Sequence, residues 1–289
     1  ELDVPVLEVQ HHHGHALSVM AEHHLDGKCL AVIFDGTGFG TDGTVWGGEF
    51  LLCEDRSFIR VGAVKPISMI SGDESVRQAW KSLLCHLVHS GIPSDDKRAA
   101  VVKAAVAGGL NTVKSSSMGR LFDAVSAALG LADYNTYQGR CAMLLENQAA
   151  LAKRERKIPT ELSFNEEAVE TENGSVPFFD PAPLWKKVMG KDKAAAALGF
   201  HEAVIRIVER MAEKTGVETV ILSGGCFANR LLLEGCVEAL KGKGHAAYWN
   251  QALPPGDGGL AFGQAWYGMN TANERKSYVC SISGACGNH

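Results

Sequence analysis

Cys29-Leu30-Ala31-Val32-Ile33-Phe34-Asp35-Gly36-Thr37-Gly38-Phe39-Gly40-Thr41-Asp42-Gly43-Thr44 is the stretch whose reading decides the fold. Its first six residues form an uninterrupted apolar run, the pattern of a strand buried on both faces. A carboxylate then opens a loop with glycine at 36, 38 and 40. Glycine lets a backbone turn tightly and approach a ligand closely, and its N–H groups can face a phosphate. An acid followed by such a loop suits a metal–phosphate site. Asp42-Gly43 is also a good two-residue turn, and residues 44–52 and 58–64 read as returning strands. Both readings hold together: Asp35, Gly36 and Gly38 face the ligand, and Asp42-Gly43 forms the hairpin tip.

A second strand–loop–helix unit lies near the end of the chain. Thr219-Val220-Ile221-Leu222 reads as a short buried strand. Ser223-Gly224-Gly225-Cys226-Phe227-Ala228-Asn229-Arg230 is a glycine turn opening into a helix through about residue 241, the arrangement that places a nucleotide at a helix N-terminus. Ala247-Tyr248-Trp249 reads as a last strand. Leu253-Pro254-Pro255-Gly256-Asp257-Gly258-Gly259 is a stiffened loop carrying one acid among glycines, and residues 260–269 read as a closing helix.

Upstream of both units stands Gln10-His11-His12-His13-Gly14-His15. Residues 4–9 read as a short strand that delivers this cluster to a helix running to about residue 22. His11 and His15 are four apart, so on a helix they share one face. Two imidazoles aimed at one point have the spacing of metal ligands. The plainer reading is a solvated polar turn or a purification tag. Gly14 and the apolar run that follows it argue against a tag. Two imidazoles do not fill a coordination sphere, and Asp35 and Asp257 are the carboxylates able to complete it. Two His and two Asp make a mixed N/O set compatible with Zn²⁺ or Fe²⁺. His23 and His24 read as caps at the end of the same helix.

Between the two units the period is mostly helical. Val76, Trp80, Leu83, Leu84 and Leu87 share a face, and His86 and His89 on that segment read as packing or surface residues. A further helix covers about 95–107, ended by Gly108-Gly109. Serines at 115–117 cap a helix with Phe122, Val125, Ala128 and Leu129 on its apolar face. Asp123 among them is either a buried hydrogen-bonding group or a ligand contact. Tyr137-Gln138-Gly139-Arg140 opens a helix to about 154. Residues 156–174 read as a polar surface excursion, and 184–189 and 194–214 as helices.

The 289 residues are 46% hydrophobic and 21% charged, with a net charge of -5. This is the composition of an ordinary globular chain, long enough for one large fold or two lobes. It offers no basic footprint for nucleic acid and no run approaching the roughly 18–20 apolar residues of a membrane span. Eight cysteines form no CxxC pair, which suits reduced thiols in a cytoplasmic protein. A zinc site built from Cys280, Cys286 and His289 is the weaker metal reading. The chain opens on Glu1 and reads as a piece of something longer.

These stretches together resemble a known family. VQHHHGH, FDGTGFGTDGTVWGGEF, SSSMGRLFDAVSAALG, SGGCFANRLL and LPPGDGGLAFGQA occur in the order of the C-terminal, Kae-type carbamoyltransferase domain of HypF, and span Val9 to Tyr267. The resemblance implies an α/β, two-lobed sugar-kinase/Hsp70/actin-like (ASKHA) nucleotide-binding fold with a truncated first lobe. Residues 1–28 would be a remnant of that lobe carrying the metal-binding helix. Residues 29–270 would be the second lobe, with a helical insertion at about 72–215, and 271–289 a flexible tail. His11, His15, Asp35 and Asp257 match metal ligands. Gly36 and Gly38 match a phosphate-facing loop, and Gly224, Gly225 and Asn229 the nucleotide turn. Asp123 and Gly139 match positions near the ribose, with His12 near the nucleotide.

The activity implied is carbamoyl transfer from carbamoyl adenylate, made from ATP and carbamoyl phosphate in a YrdC-like domain, to the C-terminal cysteine thiolate of HypE. That step belongs to cyanide-ligand synthesis for [NiFe]-hydrogenase. The cofactors implied are a divalent Zn or Fe ion, ATP or the adenylate, and Mg. The partners implied are HypE and the YrdC-like and acylphosphatase domains of the full-length protein, with no nucleic acid and no membrane. Lys-Pro-Trp-Arg and Tyr-Glu-Gly-Gln stretches of the family read Gln78-Ala79-Trp80-Lys81 and Tyr137-Gln138-Gly139-Arg140 here. Two other functions fit the same motifs: a carbamoyltransferase acting on tRNA or a small-molecule hydroxyl, and a non-catalytic nucleotide-binding module.

Overall fold

A computed structural model describes residues 6–72, 76–171 and 174–283. Strand β1 (Cys29–Phe39) is the middle of a nine-stranded mixed sheet. On one side it pairs antiparallel with β2 (Val45–Glu54), which pairs antiparallel with β3 (Ser57–Val64). A short pair, β4 (Ile67–Ile70) and β5 (Thr112–Ser115), joins at β2. The hairpin of β6 (Asn165–Thr171) and β7 (Gly174–Asp180) extends the sheet beyond β3. On its other side β1 runs parallel to β8 (Thr219–Ser223), and β8 parallel to β9 (Ala246–Trp249).

The continuous apolar run is explained by burial on both faces. Leu30, Val32 and Phe34 point into the larger core. Ala31 and Ile33, one residue out of phase, point into a second core on the opposite face, as the two-residue period of a strand requires. The larger core is covered by helices α4 (Met118–Ala128), α5 (Arg140–Arg154), α7 (Lys193–Thr215) and α8 (Arg230–Gly242), with α2 (Ala79–His89), α3 (Ala99–Ala107) and α6 (Ala182–Val188) around them. Within it Phe34 stacks on Phe227 at 5.5 Å and meets Phe50 edge-on at 5.6 Å. The second face is covered by α1 (His11–Glu22) and α9 (Asp257–Ser283) packed against each other. This is the α/β class that the sequence implies, built on a mixed sheet.

Several elements differ from the sequence reading. Residues 6–10 join no strand, because Val6 and Leu7 are exposed and nothing pairs with them. The polar segment read as a surface excursion holds β6. Its Glu166, Glu167 and Glu170 sit on an edge strand, where the pairing is carried by backbone groups and no apolar signal is needed. The pair β4–β5 also escapes detection, since four residues are too few to show a period. Helix α9 starts at Asp257 and runs to Ser283, past the expected 260–269. Cys280, Cys286 and His289 fall outside the residues whose side chains are described.

Candidate functional site

The parallel ladder of β1 and β8 ends at Ile33 and Ser223. The β1–β2 register breaks between Phe34 and Gly38. Asp35, Gly36 and Thr37 therefore leave both ladders at the carboxyl end of the central strands. In open α/β sheets that crevice is where ligands bind, and a bulge there re-aims a side chain.

Helix α1 brings the imidazoles to this point. Gln10 caps it, its side-chain oxygen accepting from the His13 N–H at 2.8 Å. One turn then places the His11 and His15 rings 4.9 Å apart. His11 Nε2 lies 3.2 Å from Asp35 Oδ2 and 3.5 Å from Asp257 Oδ1. His15 Nε2 lies 3.4 Å and 3.6 Å from the same two oxygens. His15 Nε2 is buried without a hydrogen-bond partner. Asp257, at the start of α9, keeps an exposed side chain.

The two carboxylate oxygens of Asp35 have different tasks. Oδ1 accepts the Gly36 N–H at 2.8 Å and the Gly225 N–H at 3.2 Å. Oδ2 is left to face the imidazoles. Gly225 belongs to the turn after β8, which starts at Gly224 in a left-handed conformation (φ +96°) with its N–H donated to Pro255 O at 2.9 Å. A Cβ at Gly224 would stand 2.4 Å from Phe34 O, so only glycine fits. The two glycine turns and the Pro255–Asp257 loop are thus one assembly that aims Asp35 and Asp257.

The set fits a divalent cation. An ion bonded tetrahedrally at about 2.0–2.1 Å holds its ligand atoms roughly 3.3–3.4 Å apart. The four cross-contacts span 3.2 to 3.6 Å, and one atom from each residue falls within 4.8 Å of the others. Two nitrogens and two oxygens suit Zn²⁺ or Fe²⁺ rather than Mg²⁺ or Ca²⁺, which prefer oxygen alone. Burial works to raise the Asp35 pKa, but contacts with His11 and His15 and the Gly36 N–H hold it well below the usual carboxylate range. The hydrogen bond to Asp35 raises the His11 pKa against its burial. A cation would displace that proton.

The cluster opens into a cleft of about 460 Å³. Asp35, Gly36 and Asp257 are part of its lining. Met69, Ile70, Val76, Val113 and Cys85 supply apolar wall, and Arg77, Lys81 and Arg120 supply cations. Gly139, the left-handed residue before α5 (φ +77°), also lines the cleft. Of the residues singled out from sequence, Asp35, Gly36, Asp257 and Gly139 meet in this cleft. Gly38, Gly224 and Gly225 support it from behind. His12 is fully buried under the Gly38 backbone, with Gln10 on Nδ1 and burial holding its pKa down at about 3. Asp123 is buried behind Arg120 at 3.2 Å. Asn229 caps α8 by accepting the Leu232 N–H at 2.9 Å, while its amide donates to His201 Nε2 at 2.8 Å. Cys226 is a packing residue beside the site, its thiol pushed well up by burial.

Sequence reasoning missed the three cations. Arg77 carries no motif of its own, and Lys81 closes the Gln78-Ala79-Trp80-Lys81 stretch, which departs from the family's pattern. Arg120 had two signals, its place in the SSSMGRLFDAVSAALG stretch and in the first turn of a serine-capped helix: Ser117 accepts the Arg120 N–H at 3.1 Å.

Fold and site together define an α/β domain with a His₂Asp₂ cluster at the mouth of a cationic cleft. A family model for the carbamoyltransferase Kae1-like domain, second subdomain, matches residues 31–264, and the chain belongs to this family. It is 32% identical to carbamoyltransferase HypF2 of Cupriavidus necator over 93% of the chain and 37% of that relative. It is 36% identical to carbamoyltransferase HypF of Rhodobacter capsulatus over 91% of the chain and 36% of that relative. The chain therefore spans about a third of the length of these relatives. A crystal structure of full-length HypF in a phosphate- and nucleotide-bound form superposes with a TM-score of 0.81 at 32% identity, covering 93% of this chain and 36% of that one.

Proposed function

We propose that this domain holds carbamoyl adenylate in the cleft and transfers its carbamoyl group to the C-terminal cysteine thiolate of HypE, with ATP chemistry and HypE contributed by other domains and chains. The reading is carried by one observation: a His₂Asp₂ set opens onto a cleft walled by Arg77, Lys81 and Arg120. That is a charge arrangement for a phosphate ester. Family membership and the nucleotide-bound relative support it.

In this reading the thiolate sulfur attacks the carbamoyl carbon. The carbon–oxygen bond to phosphate breaks, AMP leaves with the electron pair, and an S-carboxamide remains on the partner. His11, His15, Asp35 and Asp257 would hold a divalent cation, which would supply Lewis-acid stabilisation of the phosphate leaving group. The cationic wall orients the donor. The apolar patch of Met69, Ile70 and Val113 is a surface for the base. The nucleophile comes from the partner. That agrees with the described cysteines: Cys85, which lines the cleft, has a thiol pushed up by burial.

Incubation of the purified chain with carbamoyl adenylate and HypE tests the reading. Mass spectrometry of HypE is expected to show the added mass of one carbamoyl group on its last cysteine. A partner left unmodified by the chain, with and without an added YrdC-like domain, overturns it.

A further inference from the structure

Three of the four cluster residues stand on regular elements. His11 and His15 ride on α1, and Asp35 follows the paired part of β1. Asp257 follows a stretch, 250–256, that belongs to no strand or helix, and its side chain is 73% exposed. That loop must be held against α1 if Asp257 is to stay 3.5 Å and 3.6 Å from the two imidazoles.

The ligand face of α1 supplies the hold. His11, His15, Ser18 and Glu22 follow one another at steps of four, three and four, so they form one stripe along the helix. The first two face the cluster and the last two face the loop. Glu22 Oε1 accepts the Gln251 N–H at 2.8 Å and the Ala252 N–H at 2.6 Å. Asn250 stands where these parts meet and is 8% exposed. Its amide donates to Ser18 Oγ at 3.1 Å and to Glu22 Oε2 at 3.4 Å, and its carbonyl accepts from Ser223 Oγ at 2.7 Å. Both sides reach the cluster in one more step. Ser18 Oγ donates to the His15 carbonyl at 2.8 Å. Ser223 ends β8 directly before the Gly224–Gly225 turn, and the Gly225 amide aims Asp35. Asn250 thus joins the loop that carries Asp257 to the two elements that place the other ligands.

Glu22 lies seven positions beyond His15, roughly 10 Å along the helix axis, too far to ligate the same ion. It also adds little to the fold, because its loop partners are exposed N–H groups that water would satisfy in its absence. The place of Asn250 is specific to an amide, which donates at one end and accepts at the other. Aspartate there would set a second carboxylate beside Glu22, and alanine would leave Ser18 and Ser223 unjoined. A buried amide engaged at both ends, next to a carboxylate given over to exposed backbone, locates a loop.

We propose that Asn250, braced by Glu22, is a positioning residue for the metal site: it sets Asp257 against the imidazoles and acts on the cation only through Asp257. This rests on the metal reading of the His₂Asp₂ set.

Zinc titration against a chromophoric chelator, with urea unfolding of the zinc-free chain alongside, tests it. Asn250→Ala is expected to lower zinc affinity about tenfold or more, as loss of a group that orients a ligand does. In an Asp257→Ala background the same change is expected to move affinity by less than about twofold. Glu22→Ala is expected to show the same split with an unchanged zinc-free urea midpoint, and it reads the cycle should Asn250→Ala fail to fold. Glu22→Gln keeps an oxygen for the loop N–H groups and is expected to recover most of the affinity. Wild-type zinc affinity in both Asn250→Ala and Glu22→Ala overturns the proposal. An equal loss with and without Asp257 also overturns it, since that marks a general loosening of the site. Should Asp257→Ala take up no zinc, Glu22→Gln decides: recovery supports the loop contact, and affinity as low as in Glu22→Ala overturns it. A wild-type chain that binds no zinc overturns the metal reading, and this inference with it.

Discussion

At the scale of single residues, the site separates groups that hold a ligand from groups that hold the fold. Asp257 is 73% exposed and touches the fold little. Asp257→Ala is expected to change unfolding free energy by less than about 0.5 kcal/mol and to abolish stoichiometric metal retention, read by elemental analysis after dialysis. Full metal retention would remove Asp257 from the ligand set. Gly38 makes the complementary case. It has no side chain to offer a metal, yet a Cβ there would lie 2.4 Å from His12 Cε1 and 2.7 Å from His11 Cδ2. Both rings are packed in place, so Gly38→Ala is expected to displace His11 and weaken metal binding at least tenfold. Metal titration of that variant checks it, and wild-type affinity would show that the rings can move aside. His11, His15, Asp35 and Asp257 were legible in sequence because spacing and loop chemistry marked each of them. Arg77 and Lys81 were not, because a single cation beside an apolar helix face looks the same at a cleft or in bulk solvent.

At the scale of elements, the turn after β8 and helix α8 depend on Asn229 more than its motif suggests. Its side chain caps α8 and also reaches His201, which is fully buried. Asn229→Ala is expected to cost on the order of 1–3 kcal/mol, a lost cap plus an unsatisfied imidazole, read by urea unfolding. A loss under about 0.5 kcal/mol would contradict this. The same histidine sets a pH response. Its Nδ1 bonds Ala197 O at 2.8 Å and Nε2 faces the Asn229 amide, so the neutral ring fits and a protonated one does not. Burial lowers its pKa to about 4, and that of buried His86 to about 3. The unfolded chain binds these protons first, so between pH about 6.5 and about 4 stability falls as pH falls. Thermal melts are expected to show a declining midpoint over that window, and His201→Gln to flatten it. The strand–loop–helix units around β1 and β8 were readable for the same reason that they matter: each is buried on both faces and must be apolar throughout. Strands β4, β5 and β6 lie at the margin of the sheet and left no such trace.

At the scale of the molecule, the site is assembled from parts far apart in sequence. The acid of the first glycine loop is aimed by an amide of the second, across 190 positions, and both imidazoles arrive on a helix packed against the opposite face of the sheet. Burial of Phe34 between Phe50 and Phe227 joins these parts. Phe34→Ala is expected to cost about 3–5 kcal/mol and to loosen the site with the core. No helix among the described residues is long and apolar enough to cross a membrane. The central claim is that the His₂Asp₂ cluster and the cationic cleft act as one site. Calorimetric titration of AMP into metal-free and metal-loaded chain tests it most directly, because coupled sites must show coupled affinities. The account predicts that metal raises AMP affinity at least tenfold in wild type and leaves it unchanged in Asp257→Ala. Equal AMP affinity with and without metal in the wild-type chain would contradict it.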